Sequence, residues 1–517
     1  MKIITINIIS FICLLTSITA VAEQPRNHKI LDKELSDRMT AALLTGNSSL
    51  LTAAERLEFS QIGLGFNGVN GAFRRPQQAK SSQLYSFTAN GAIDLKGYYL
   101  KGNFKFGESF ENDVRFNSIM DPYRGTPYII ADTSGGNWKK QLYKTDFSLA
   151  SPWFGGKVSF GLKAGLDVGR GAKMIDPRPQ SNSNEITLLP SFALRFGNHY
   201  MGGNLRYRRF METVNLILYN SAESQKVYLL KGMGQYIYDI FSTTERERRY
   251  QGDGLGWQLQ YRYTNGGFGV SCFAGYDNYS ELTSDIESNR PRQRGRLYED
   301  VYKAGMEISV ISEAATHLLK AGYDKTARSG REIIQVFNSS SDVNAWVTDS
   351  EAPRRSEVSV SSVDVSYNFL FKDLETGKVV WDAAIEGDYT DYSDAYPVMK
   401  SNISYDSFEA RLSVMRNVTL NVDNDLQLKL LGGIHRTWDT GMSLTEREPD
   451  DHVIAEGLVY PDATYLFSNY FSFGTRAAWE HIFRNGSSLL LSCSYGLVRS
   501  EHKLSRNTLS LGAVYGF

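Results

Sequence analysis

The chain has 517 residues, a formal net charge of −1, 42% hydrophobic residues and a mean hydropathy of −0.33. These values exclude a protein built from several apolar transmembrane helices, and the balanced charge offers no basic surface for nucleic acid. They suit a large transmembrane β-barrel, in which only every second residue of a strand faces lipid. The 30 tyrosines and 27 phenylalanines would supply the aromatic girdles of such a barrel.

The chain begins with a predicted secretory signal peptide, residues 1–22. Lys2 precedes an apolar run over residues 3–12, and Ala20 and Ala22 form the A-x-A pattern of a cleavage site. After this segment, no run of about 18 apolar residues is long enough for a helix that crosses a bilayer. The mature protein is therefore expected to be exported.

Residues 23–56 contain the predicted helical part of the chain. Apolar residues recur at helical spacing from Ile30 to Leu44, and a Gly-Asn pair at 46–47 gives a stop signal. We expect this segment to lie in the periplasm as a cap over the barrel mouth, with a plug inside the lumen as the alternative. Residues 46–51 stand where fatty-acid-transporter-like barrels have an Asn-Pro-Ala-Gly-Leu motif, of which only the asparagine and leucine are present.

From residue 57 to 517 the sequence alternates between apolar and polar residues, which is the period of a strand with two different faces. Between Val158 and Gly169, for example, apolar side chains take the even positions, while glycine, serine and charged residues take the odd ones. Segments of ten or more residues match a tilted transmembrane strand. Short turns alternate with longer connections, which are predicted at 69–81, 109–140, 171–184, 212–253, 281–296, 327–355, 392–403, 439–464 and 500–504.

These features predict an all-β fold, a single large antiparallel transmembrane β-barrel over residues 57–517. It should have about 18 strands, with 16 as the alternative, short periplasmic turns and long extracellular loops. The first strand is expected near Leu57–Val69 and should pair with the last, Arg506–Phe517. The aromatic end of that last strand, Tyr515 and Phe517, is the predicted signal for insertion. The expected location is the outer membrane of a Gram-negative bacterium, with membrane lipid and the barrel-assembly machinery as partners.

Three predicted loops have distinctive sequences: G-A-F-R-R-P-Q-Q at 71–78, D-P-Y at 121–123 followed by P-Y-I-I-A-D at 127–132, and D-P-R-P at 176–179. Together they resemble a Bacteroidota family of outer-membrane β-barrels of unassigned function. The resemblance covers nearly the whole mature chain and brings no catalytic or binding residues. Members of that family look like neighbours of TonB-dependent uptake systems, which implies nutrient or metal acquisition. A TonB-dependent receptor or a surface lipoprotein is the expected partner.

We expect the residues with a functional role at the lumen-facing positions. Charged side chains fall on the inward parity of strands in two regions, and opposed basic and acidic walls are a selectivity device of pores. The alternative is that these charges pair with neighbours and only fill a wet interior. The basic candidates are Arg195, Arg206, Arg208 and Arg262, and the acidic candidates are Asp364, Asp382, Glu386 and Asp388.

The favoured function is a channel or accessory component in uptake of a small solute or nutrient. Two alternatives are a closed structural or surface-interaction barrel whose extracellular loops bind a partner protein, and a transporter of hydrophobic substrates. The apolar runs of loop 212–253 need burial in the lumen, in a raised hairpin or on a partner. No enzyme, cofactor or metal site is predicted, because the seven histidines lack a nucleophile at catalytic spacing and Cys272 and Cys493 lie on apolar strand faces.

Overall fold

A computed structural model shows a closed antiparallel β-barrel of 18 strands, which confirms the predicted fold class. It describes residues 30–31, 46–53, 57–219, 225–241, 245–287, 289–340, 344–375, 378–446 and 452–517. The predicted signal peptide with Ala20 and Ala22 lies outside the described residues, as does most of the predicted helix. In the part of the chain that is described, no helix is long and apolar enough to cross a membrane.

Twenty-one strands are described, eighteen in the barrel wall and three in a small separate sheet. In chain order they are β1 Phe59–Gly71, β2 Ser81–Leu95, β3 Tyr98–Val114, β4 Ile130–Ala131, β5 Gly136–Ala150, β6 Val158–Lys173, β7 Arg178–Phe196, β8 His199–Ile217, β9 Gln225–Gly232, β10 Gln235–Phe241, β11 Glu245–Asn265, β12 Phe268–Glu287, β13 Arg290–Ile311, β14 Ala315–Asn338, β15 Ala345–Lys372, β16 Val379–Tyr396, β17 Ser401–Asn421, β18 Asn424–Ser443, β19 Tyr470–Ile482, β20 Ser488–Ser500 and β21 Ser505–Gly516. The small sheet consists of β4, β9 and β10. Each wall strand pairs with its sequence neighbours in the wall, so the topology is a simple meander.

The barrel closes between its first and last strands, as the sequence predicted. β21 pairs with β1 in a register that runs from Gln61 opposite Gly516 to Gly71 opposite Arg506. The backbone N–H of Phe517 donates to the carbonyl of Ser60 at 3.1 Å. Because β1 exists near the predicted position, the strand count is 18 and not 16.

The outer face of the wall carries an apolar band of transmembrane height. On β13, Tyr302, Met306 and Val310 are each between 44% and 49% exposed on the outer face. Nine residues at about 3.3 Å each, tilted by about 40°, span roughly 23 Å, close to the band of outer-membrane barrels. Aromatic side chains gather at the turn-side edge of this band. They include Tyr263, Phe369, Trp479, Phe483, Tyr515 and Phe517. The protein is therefore built as an outer-membrane β-barrel.

Three predicted loops are largely strand. Most of residues 171–184, 281–296 and 327–355 continue the hydrogen-bonded ladder, and β14 and β15 reach 24 and 28 residues. Beyond Tyr323, β14 continues to Asn338, which is about 50 Å along the strand at about 3.3 Å per residue, or about 38 Å along the barrel axis at a tilt of about 40°. Strands outside lipid need no apolar outer face, so the alternation that marks a strand in sequence fades there while the pairing continues. The short turns at the opposite end agree with the prediction.

Candidate functional site

An apolar core fills the loop-side half of the lumen. We call it the loop core, and it consists of residues 115–135 between β3 and β5, the β9–β10 hairpin, and residues 452–467 between β18 and β19. Its fully buried side chains pack on inward side chains of the wall strands. The buried set includes Phe116, Ile119, Ile130, Val214, Leu216, Val227, Leu229, Tyr250, Tyr279, Leu297, Ile403, Ile454 and Val459. Much of the apolar runs of predicted loop 212–253 is thus buried inside the barrel, the first of the three placements open to them, while Tyr219, Tyr238 and Ile240 stay exposed.

Arg124 joins the loop core to two strands of the wall. Its guanidinium forms ion pairs with Glu281 on β12 and, at 3.5 Å, with Glu212 on β8. The same group lies 4.7 Å from the ring centres of Phe210 and Tyr250. Both carboxylates are about 1% exposed, so each depends on Arg124 for its counter-charge. A buried pair of this kind is costly to break from one side.

Two further ion pairs tie other parts of the loop core to the barrel. The Lys173 ammonium, at the loop-side end of β6, lies 2.6 Å from Asp132. Arg75, between β1 and β2, binds Asp462 through two hydrogen bonds of 2.7 and 2.5 Å. Beside it, burial raises the pKa of the Tyr123 hydroxyl, which stays protonated and accepts the Gln77 N–H at 3.1 Å. The loop core is therefore held at several points around the wall.

Arg248 belongs to a charge run, Glu245–Arg249, that reads in sequence as a solvated strand end. In the structure Arg248 is 1% exposed and its Nε lies 2.6 Å from Asp285. Its Nη1 and the Tyr250 hydroxyl both donate to the carbonyl of Tyr128, at 3.3 and 2.8 Å. The expectation is wrong for this residue because strand alternation turns it toward the lumen, where the loop core covers it.

A glycine on the wall makes room for the loop core. A Cβ atom at Gly295 on β13 would lie 2.4 Å from the ring of Tyr128. Real Cβ atoms do not approach a ring so closely, so the wall and the loop core fit only with glycine at this position.

At the opposite end of the lumen, residues 46–53 form what we call the turn-side segment. Its 3₁₀ turn, Ser48–Ala53, lies on the inward face of β5 to β7. The Ser159 hydroxyl donates to the Ser49 carbonyl at 3.1 Å, and the Asn47 amide donates to the wall backbone at 3.2 Å. A Cβ at Gly161 would lie 2.3 Å from the Ser49 nitrogen. The described residues of this segment therefore lie on the lumen side of the wall, and the choice between cap and plug for residues 23–56 stays a prediction.

Residues 30–31 make a separate contact with the wall. The backbone N–H groups of Ile30 and Leu31 donate to the buried carboxylate of Glu480 on β19, at 2.6 and 3.2 Å. Their side chains pack against Ala478 and Leu490. The described N-terminal residues thus touch the barrel at two well-separated places near its turn side.

A polar chamber lies between the loop core and the turn-side segment. Its larger cavity, of about 430 Å³, is bordered by Gly46, and its smaller cavity, of about 190 Å³, is bordered by Leu50. The larger cavity is lined by charged side chains of both signs. They are Lys144, Asp146, Lys163, Asp167, Glu185, Arg206, Asp277 and Lys303. The chamber suits a hydrophilic content better than an apolar one.

The eight predicted lumen residues all lie on inward positions, but most are paired locally. Arg206 lies 3.4 Å from Asp277, and Arg208 lies 2.8 Å from Glu185. Local pairs of this kind reduce the field across the lumen, and the same holds on the acidic side. There, Arg411 on β17 lies 3.1 Å from Glu386 and 2.6 Å from Asp388.

The remaining predicted residues differ in their surroundings. Arg195 is exposed at the turn-side rim, and its Nε approaches the carbonyl of Gly197 at 3.5 Å. Asp382 is buried, at 6% exposure, near the turn-side end of β16. Arg262 and Asp364, which were assigned to opposite walls, both line the smaller cavity. This pair is the part of the predicted site that the structure brings together.

Sequence reasoning missed the residues that hold the loop core, above all Arg124 and Lys173. Their partners lie far away in the chain, and no local sequence pattern predicts these ion pairs. The distinctive phrases at 71–78 and 121–132 contain or flank several of these anchors and were the available signal. Within the described ranges, no group of three His, Cys, Asp or Glu side chains could hold a metal ion.

Comparison with known proteins gives a family and a general likeness. The model of a family of unknown function, DUF6850, matches residues 48–517. No curated protein matches the chain. The barrel is similar to the ferric preacinetobactin receptor BauA from Acinetobacter baumannii, at 8% identity and a TM-score of 0.39 over 90% of this chain and 80% of that one. The ferric-catecholate import receptor Fiu from E. coli K12 is 9% identical, with a TM-score of 0.40 over 90% of this chain and 82% of that one. A mutant of the monoaromatic hydrocarbon channel TodX is 12% identical, with a TM-score of 0.32 over 92% of this chain and 94% of that one. Similarities this weak carry no argument about function.

Proposed function

Because the chain belongs to DUF6850, a family of unknown function, we propose its function from the geometry of the lumen. The protein is a gated outer-membrane barrel for the uptake of a small polar solute. The observation that carries this proposal is the charged chamber that lies between the loop core and the turn-side segment. A barrel with a purely structural role could fill this space with side chains, as the loop core fills the other half.

The lining of the chamber favours a hydrophilic solute over a hydrophobic one. An apolar molecule placed against Lys144, Asp167, Arg206 and Asp277 would remove water from these charges and give no hydrogen bond in return. These four side chains form two ion pairs, Lys144 with Asp167 and Arg206 with Asp277, and removing water from an ion pair costs several kcal/mol per ion that the mutual attraction only partly offsets. The alternative of a hydrophobic-substrate transporter is therefore not the one we propose.

Passage of a solute requires the loop core to move. It occupies the loop-side half, which we place outside the cell, and the turn-side segment occupies the periplasmic end. The resemblance to barrels beside TonB-dependent uptake systems supports a role as an accessory component of such a system. In that role a TonB-dependent receptor or a surface lipoprotein would be the partner that shifts the loop core. The Gram-negative, Bacteroidota origin is part of this same proposal.

Removal of one loop-core segment tests the proposal. Val114 and Gly136 face each other in the β3–β5 register, so residues 115–135 can be replaced by a two-residue Asn-Gly hairpin without changing the ladder. We expect the intact barrel to be electrically silent in planar bilayers and impermeable in liposome swelling. The shortened barrel should conduct and should admit small hydrophilic solutes.

Heat-modifiable migration on gels would show that the shortened barrel is folded before it is measured. A folded, shortened barrel that stays impermeable would mean that the chamber is not a solute pathway. A wild-type barrel that conducts steadily would instead show an open pore, and the gated form of the proposal would be lost.

A second candidate function, a surface-interaction barrel, is favoured by the raised β14–β15 hairpin. Ile334 and Val336 are 48% and 58% exposed on it, and Val347 is 44% exposed, well beyond the lipid band. Cross-linking from this hairpin in intact outer membranes, with Val336→Lys as the matched variant, would test it. A single cross-linked protein that is lost in the variant would support a docking role, and no specific product would count against it.

A further inference from the structure

The smaller cavity of the chamber contains buried charges without hydrogen-bond partners. Glu307 on β13 is only 5% exposed, and its Oε2 has no hydrogen-bond partner among the described residues. Arg262 on β11 also lines the cavity, and its buried Nε likewise lacks a partner in the described part of the chain. Buried polar atoms are nearly always satisfied, so two unsatisfied charged groups at one cavity need an explanation.

A neighbouring lumen arginine shows that this arrangement is not forced by the fold. Arg208, on the adjacent strand β8, donates through its Nε and Nη2 to Glu185 at 3.0 and 2.8 Å. Glu307 has a cation nearby, but the Lys320 ammonium stands 3.8 Å away, beyond hydrogen-bond distance. The cavity therefore keeps a donor and an acceptor available, whereas Arg208 and Glu185 use theirs on each other.

The charges around the cavity are of both signs. Arg262 and Lys320 are cationic, and Glu307, Asp324 and Asp364 are anionic. A simple anion would meet three carboxylates, and a simple cation would meet a guanidinium and an ammonium. A molecule with one group of each sign can satisfy both sets, because charge-assisted hydrogen bonds form at each end.

The size of the cavity limits what can be enclosed. Its volume of about 190 Å³ corresponds to about six waters at roughly 30 Å³ each. We propose that this cavity binds a small zwitterion of the α-amino acid class, with its carboxylate toward Arg262 and Lys320 and its ammonium toward the carboxylates. The inference rests on the proposed uptake function and names the class of solute.

The turn-side segment takes part in this site through one residue. Leu50, which is 3% exposed, lines the same cavity and supplies its apolar border. A bound zwitterion would therefore contact the segment that lies across the periplasmic end. Occupation of the site and the position of that segment are coupled by direct contact.

Matched probes test the inference on the intact, detergent-solubilised barrel. Equilibrium dialysis would compare radiolabelled alanine with propionate, which lacks the ammonium, and with ethylamine, which lacks the carboxylate. We expect alanine to bind at least about tenfold more tightly than either probe, since each probe leaves one set of charges unpaired. Glu307→Gln and Asp364→Asn should each weaken alanine binding by about tenfold. Glu409→Gln, an inward carboxylate outside both cavities, should leave it unchanged.

Equal binding of the three probes, binding of none of them, or unchanged affinity in both cavity variants would overturn the inference. Binding of none of the probes would mean that water alone satisfies the cavity. Unchanged affinity in both variants would mean that alanine binds at another place on the barrel. Asp364 is exposed to the lumen, so its variant should fold even where the buried Glu307 variant does not. Equilibrium dialysis measures binding and does not depend on transport through the barrel. The permeability of the shortened barrel, in turn, does not depend on a zwitterion site. Failure here with a permeable shortened barrel would leave the proposed function standing.

Discussion

Replacement of Arg124 by methionine is the sharpest perturbation of the loop core. Methionine keeps the unbranched apolar stem of the side chain but lacks the guanidinium, which leaves Glu212 and Glu281, each about 1% exposed, without a counter-charge. Removal of one partner from a buried pair costs about 3–5 kcal/mol. This cost falls on the docked state, because the two carboxylates are hydrated when residues 115–135 lift away. At about 1.4 kcal/mol per factor of ten, the open population should rise roughly 100- to 4,000-fold.

Cysteine labelling measures this population directly. In a background without the lipid-facing Cys272 and Cys493, Ile119, which is 0% exposed, is replaced by cysteine. A membrane-impermeant maleimide then reports opening, and Arg124→Met should raise its rate by at least about 100-fold. Arg115→Met is the matched control in the same segment.

The control and a rescue variant distinguish loss of the Arg124 ion pairs from a general loss of folding. The Arg115 side chain is 55% exposed and, among the residues that the structure describes, pairs only with surface Asp113, so its loss should leave labelling unchanged. Adding Glu212→Gln and Glu281→Gln to Arg124→Met removes the stranded charges and should restore slow labelling. If a folded Arg124→Met barrel is labelled at the parental rate, the Arg124 ion pairs do not hold residues 115–135 in place.

Two further predictions concern the ends of the chain. Gly161→Ala should displace the turn-side segment, because its Cβ would lie 2.3 Å from a backbone nitrogen, and labelling of a cysteine at Leu50 should rise. Gly165→Ala, whose Cβ would have no atom nearer than a side-chain oxygen at 3.4 Å, is the control, and equal labelling of the two variants would contradict the docking contact. Deletion of Phe517 should lower the fraction of protein inserted in the outer membrane without changing the inserted fold. Normal yields of heat-modifiable barrel would remove the role of Phe517 as an insertion signal.

The wall of the barrel could be predicted because its rule is local. Each transmembrane strand alternates between lipid and lumen, so residues two apart carry the signal, and tight turns separate one strand from the next. The same rule fails on β14 and β15 beyond Tyr323, where the outer face meets water and apolar residues no longer alternate regularly with polar ones. It also misjudged Arg248, because a charge run says nothing about what covers it in space.

For the candidate site, the sequence could predict only which side chains of a strand face the lumen. Inward position follows from alternation, which predicts Arg262 and Asp364 on the lumen face. Their shared cavity, however, depends on the register of the strands from β11 to β15, which no local pattern supplies. The same limit explains why Arg411, the partner of Glu386 and Asp388, was not foreseen. Partners across strands are tertiary facts.

The loop core is the part of the molecule that a generic barrel sequence cannot specify. A lipid-facing wall accepts many apolar side chains, whereas the loop core needs particular pairs such as Arg75 with Asp462 and Lys173 with Asp132. The phrases at 71–78 and 121–132, through which the chain resembles its family, lie in or against this core. What distinguishes this chain from other barrels is thus concentrated in the element that closes its lumen. Experiments on function should therefore begin with the release of the loop core, since the wall alone would behave like any barrel of 18 strands.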